Sequence, residues 1–165
     1  MVLIPNEGGD TMYLYKFARR LQYLMELDGI SQRALALKIN VDRKCVRLWR
    51  QGANFPKYGA LIRLSLCLNV RIDYLLGLED VLEDDAAVPL IVVNEKTVRY
   101  RFYRCLIEYM EANNLTKYAF AKKVKIDQKA LANWLEKGSM PETHTLIKLA
   151  ALMNISVQDL LIEPN

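Results

Sequence analysis

Between residues 31 and 51 the chain sets six Lys or Arg against one Asp. Arg43, Lys44 and Arg47 fall on one side of any helix drawn through them, with Leu48 beside them. A second stretch, 116 to 136, sets five basic residues against two acidic ones and holds Lys117, Gln128, Lys129 and Asn133. Fixed positive charge on short amphipathic segments is the chemistry of holding a polyanion, not of making or breaking bonds. Other chemistry is sparse. His144 is the single histidine, and Cys45, Cys67 and Cys105 are scattered without a Cys-x-x-Cys pair, which argues against a metal site and a disulfide framework. There is no phosphate-cradling glycine loop and no nucleophile elbow, so an enzyme is disfavoured and neither a cofactor nor a metal is expected.

The whole chain bounds these readings. Its 165 residues are 52% apolar and 25% charged, and Gly and Pro together number 12, a composition that folds. No apolar run reaches a membrane-spanning length and the opening Met1–Pro5 is too short for a secretory signal. The expectation is a cytoplasmic protein without a membrane partner. The net charge of +4 conceals a partition: residues 1–77 carry 12 basic against 6 acidic side chains, 78–97 carry 1 against 6, and 98–165 carry 10 against 7. Two basic blocks flank an acidic connector.

Those blocks are copies of one another. Sliding the chain by 85 residues aligns Phe17–Gly77 with Phe102–Ile162 without a gap, and 18 of the 61 pairs are identical, among them Leu21/Leu106, Ala36/Ala121, Asp42/Asp127, Trp49/Trp134 and Pro56/Pro141. The expected architecture is all-α: a first domain over 11–77, a linker over 78–97 and a second domain over 98–165, each domain of five short helices. Asp10 is placed as the cap of the first helix, Gly29 and Asn114 as stops, Ser31 and Thr116 as caps of the second helix, and Ser156 with Asp159 as the start of a capping box. Third helices are expected near 43–51 and 128–136. Leu90–Val93 can pair as a short strand with Val2–Ile4, or with another chain. The acidic run Glu79–Asp85 reads as a solvated linker, or as a cover over a basic helix that mimics its polyanion.

Only about three residues, Asn40-Val41-Asp42 or Lys125-Ile126-Asp127, join the second and third helices, which forces a sharp crossing. Ala36 and Ala121 sit where the crossing leaves room for a small residue, and Trp49 and Trp134 fall on the inward side. The run from Ile30-Ser31-Gln32-Arg33-Ala34-Leu35-Ala36 to Trp49-Arg50-Gln51-Gly52, with Pro56, Leu61, Leu64, Asn69, Val70 and Leu75 after it, resembles the Cro/CI-type (lambda-repressor-like, XRE-like) helix-turn-helix family. The second copy resembles it almost as well. One departure stands out: the family usually has Gly in the turn, where Asn40 and Lys125 stand here, and a left-handed Lys costs roughly 1 kcal/mol, so a slightly altered second turn is expected.

The resemblance implies binding of double-stranded DNA and regulation of transcription, with the third helix in the major groove. It assigns base contacts to Arg43, Lys44, Arg47 and Leu48 in the first copy and to Gln128, Lys129, Ala132 and Asn133 in the second. Arg or Lys suits guanine, Gln or Asn suits adenine, and Leu suits a thymine methyl, so the copies are expected to read different sequences. Gln32 and Lys117 open the second helices as phosphate contacts, with Lys57 and Thr143 further along the backbone. A connector of this length spans roughly 25 Å on average and reaches about 70 Å when extended, enough for half-sites about 34 Å apart. Binding can then take place as a homodimer or as a pseudo-dimer within one chain. The alternative is a protein-interaction or antitoxin-like adaptor in which one copy no longer touches DNA.

Overall fold

Short polar side chains start most of the helices, because their oxygens accept the backbone N–H groups that a first turn leaves unpaired. The computed structural model describes residues 7–80 and 94–164, and these are helices and connections throughout. Their order is α1 (Glu7–Leu27), α2 (Gln32–Lys38), α3 (Arg43–Arg50), α4 (Tyr58–Leu68), α5 (Ile72–Leu75), α6 (Glu95–Ala112), α7 (Lys117–Val124), α8 (Gln128–Lys137), α9 (Thr143–Met153) and α10 (Val157–Leu161). The chain divides into two compact units, an N-terminal one holding α1–α5 and a C-terminal one holding α6–α10. Helix starts at 32, 43, 58 and 72 return 85 residues later at 117, 128, 143 and 157. The strand proposed between Val2–Ile4 and Leu90–Val93 lies outside the described residues.

Side-chain caps set the first two of these four starts in both copies. Ser31 Oγ accepts from Ala34 N at 3.1 Å and Thr116 Oγ1 from Ala119 N at 3.1 Å, while the Oδ1 atoms of Asp42 and Asp127 accept from Lys44 N and Lys129 N at 2.6 Å each. Ser156 Oγ accepts from Asp159 N at 2.9 Å. Asp10 does not cap: α1 begins at Glu7, so Asp10 lies within its first turn. Replacing Asp127 by Ala is expected to cost about 1 kcal/mol, read as a lower midpoint in chemical denaturation of the C-terminal unit.

Helix ends repeat as well. Ile30 N donates to Met25 O at 2.9 Å with Gly29 left-handed, and Leu115 N donates to Met110 O at 2.8 Å with Asn114 left-handed. In the sharp turn, Val41 N donates to Ala36 O and Ile126 N to Ala121 O, both at 3.0 Å, around Asn40 at φ 53° and Lys125 at φ 59°. The second turn is therefore not reshaped to suit its lysine. Lys125 instead takes up the strained conformation, and Lys125→Gly is expected to recover about 1 kcal/mol, a rise of roughly 4–8 °C in the melting temperature of a unit this size. The altered connection is the next one. Left-handed Gly52 follows α3, but left-handed Gly138 aligns with Ala53, one position later, and α8 runs to Lys137.

Each unit closes around its own core. Phe17, Leu21, Leu35, Leu61, Leu64 and Leu75 are fully buried in the first, as are Phe102, Leu106, Phe120, Leu146, Leu149 and Leu160 in the second. Burial of this kind contributes about 1.5–3 kcal/mol per side chain before conformational entropy is charged against it. Trp49 and Trp134 both face inward, at 5% and 8% exposure.

Candidate nucleic-acid interface

The position of α3 is set from three directions. Asp42 caps its start, Val46 and Trp49 anchor one side in the core, and the left-handed Asn40 fixes the angle at which it leaves α2. The end of α2 is in turn held by α4, since Arg63 Nε donates to Ile39 O at 2.7 Å. With Val46 and Trp49 turned in, the helical repeat turns Arg43, Lys44 and Arg47 out, and all three are exposed. Cys45 and Leu48 border them, half-buried. The face is positively charged, and its long side chains can reach the floor of a groove.

The C-terminal unit builds the same frame with other chemistry. Leu131 and Trp134 are buried, Gln128 and Lys129 are exposed, and Ala132 and Asn133 are half-buried on the outer side. Where α3 offers two guanidiniums and an ammonium, α8 offers one ammonium and two amides.

The expected phosphate contacts fare differently. Gln32 opens α2 half-buried, and Lys57 is exposed just before α4. Lys117 is exposed, and its Nζ lies 3.2 Å from Glu136 Oε1 in a surface pair that a phosphate can displace. Thr143 must be withdrawn. It is 1% exposed at the start of α9, and a hydroxyl buried there cannot reach a phosphate on the surface. Two residues escaped the sequence reading: Arg33, exposed on α2, and Arg50, half-buried at the end of α3. The repeat held the signal, because their aligned partners are Tyr118 and Leu135, so no requirement of the fold makes them arginine.

The acidic run begins with fixed partners. The Arg20 guanidinium donates to the carbonyls of Tyr74 and Glu79, lies over the Tyr74 ring at 4.3 Å and pairs with Asp80 Oδ1 at 2.9 Å. Arg71 pairs with Glu79 at 3.1 Å. Glu79 and Asp80 are thus tied to α1 and to the start of α5, not to α3, which removes them from any cover over the basic helix; Glu83, Asp84 and Asp85 lie outside the described residues. Arg101 secures the matching position of the other unit, donating from Nε to Asp159 O at 2.9 Å.

Among the described residues no group of three His, Cys, Asp or Glu is placed to hold a metal ion, and no helix is long and apolar enough to cross a membrane. Burial pushes the Cys67 and Cys105 thiols up from their usual range. Both stay protonated at neutral pH, and slow alkylation of Cys105 in the folded protein, measured by mass spectrometry, is the expected outcome.

A helix-turn-helix family model matches residues 106–160, from the middle of α6 to within α10. Domains of this family bind double-stranded DNA. No curated protein and no solved structure matches the chain.

Proposed function

We propose, taking the helix-turn-helix domain at residues 106–160 as the premise, that this protein is a sequence-specific, repressor-like regulator of transcription that contacts double-stranded DNA through both of its units. In this reading the first domain spans 11–77, the acidic linker 78–97 and the second domain 98–165. The observation that carries it is the exposed row of Arg43, Lys44 and Arg47 on a helix whose opposite side is locked into the core by Val46 and Trp49. Base edges fall to these three with Leu48, and to Gln128, Lys129 and Asn133 in the second unit. Gln32, Lys57 and Lys117 hold the backbone.

Unequal helices imply an unequal operator. Guanidinium and ammonium groups favour guanine, while the amides of Gln128 and Asn133 favour adenine. Selection from random duplexes is expected to return a non-palindromic site with one G-rich and one A-rich half; a perfect palindrome bound by a single chain would overturn the two-reader arrangement.

Binding of a mixed-sequence duplex at several salt concentrations tests the core of the proposal. Contacts to six to eight phosphates predict a slope of about −5 to −7 in log K against log salt. Affinity that ignores salt, or no binding at low salt, would sink it.

A further inference from the structure

In the N-terminal unit, α1, α2 and α3 border an open cleft of about 670 Å³ whose polar lining includes Gln32, Arg33, Arg43, Arg50 and Glu26. Three guanidiniums share this volume with one carboxylate, and Glu26 Oε1 already accepts a hydrogen bond from Gln22 Nε2 at 3.1 Å. Arg50 Nε is buried and has no hydrogen-bond partner among the described residues. A buried charged donor left unmade is costly to retain, and the same guanidinium also borders the open cleft, where an acceptor can meet it.

The second unit shows that the fold does not demand this cluster. Its matching cleft, about 490 Å³, has Met110, Glu111 and Lys117 in its lining. Tyr118, Gln128 and Leu135 occupy the positions aligned with the three arginines, and the Lys117 ammonium is engaged by Glu136. One backbone frame therefore carries an arginine cluster in one copy and none in the other.

We infer that the Arg33–Arg43–Arg50 cleft binds a phosphate group. Guanidinium forks match the paired oxygens of a phosphate and deliver two parallel hydrogen bonds each, which a lysine cannot do. Arg43 borders both the cleft and the exposed face of α3, so a phosphodiester flanking the groove that receives α3 is the occupant assigned. That assignment rests on the proposed DNA binding; the phosphate chemistry of the cleft does not. The consequence is an asymmetric protein, in which the first unit grips the backbone more strongly than the second.

The test uses the full chain and the double variant Arg33→Tyr/Arg50→Leu, whose replacements are the residues found at the same positions of the second unit. Duplex affinity is expected to fall roughly tenfold per arginine at 0.1 M salt, and the salt slope to lose about 0.9 for each phosphate contact removed. Ranking of competitor sequences should stay unchanged, an outcome that damage to α3 would not give. In parallel, thermal melting with inorganic phosphate or adenosine monophosphate, against sodium chloride of matched ionic strength, should show stabilisation of the parent and none of the variant. Loss of that stabilisation with an unaltered salt slope upholds the phosphate site and overturns the duplex as its source. If the parent binds no duplex, the proposed function fails and the melting arm alone decides the cleft. An unaltered slope together with unaltered phosphate stabilisation overturns the inference. Should the double variant melt early, Arg50→Lys, which keeps the charge but loses the fork, is expected to give an intermediate slope and weaker phosphate stabilisation; parent-like values of both would equally overturn it.

Discussion

Replacing Arg43, Lys44 and Arg47 together by Ala is expected to weaken binding to the selected operator by about 10²- to 10⁴-fold and to flatten preference across the first half-site. Each good side-chain to base-edge pair discriminates by about 1–3 kcal/mol, and the three charges also contribute to counterion release. The fold should tolerate the change, since all three side chains are exposed and the helix is held by Val46, Trp49 and the Asp42 cap. Alanine, moreover, is the best helix former. The companion variant Gln128→Ala/Asn133→Ala removes no charge, so it should relax preference in the second half-site with little effect on the salt slope. Anisotropy titrations against operators scrambled in one half at a time separate the two. Parent-like affinity in the triple variant would move the main contact to α8 and favour the adaptor reading for the first unit.

The contrast between these variants is legible in the sequence, and the reason is physical. Helix starts depend on local chemistry, a hydroxyl or carboxylate accepting from an N–H two or three residues on, so Ser31, Thr116 and Ser156 were legible as caps. Inward faces follow from periodicity, so Trp49 and Trp134 were legible as core. What stayed hidden depends on contacts between elements. Thr143 looked like a surface hydroxyl because sequence spacing carries no information about what covers the start of α9. The pairing of Lys117 with Glu136 joins residues 19 apart on two helices. Nor does the pattern tell which ring meets which: Phe102 meets Trp134 edge-on at 6.0 Å, whereas its aligned counterpart Phe17 meets Phe55 at 5.7 Å. The site splits in the same way. The exposed row on α3 was legible from periodicity, but the cleft of Arg33 and Arg50 needed three helices to be assembled first.

That difference in aromatic packing leads to the largest stability effect. Trp134→Ala is expected to destabilise the C-terminal unit by about 3–5 kcal/mol, through lost transfer energy and the void left behind, with the edge contact to Phe102 adding about 1 kcal/mol. A unit of about 70 residues has a total stability on the order of 4–10 kcal/mol, so the variant stands near its unfolding midpoint. Trp134→Phe, which keeps an aromatic ring in the same place, should recover more than half of the loss. The chain's two tryptophans fall one in each unit, which makes the measurement direct: in Trp134→Ala the remaining fluorescence comes from Trp49 and reports on the N-terminal unit, while far-UV circular dichroism records the helix lost from the other. Because Trp134 is also what holds the outer face of α8 at its angle, preference for the second half-site should disappear in step with the dichroism. Retained preference on a melted unit would mean that α8 does not read the second half-site.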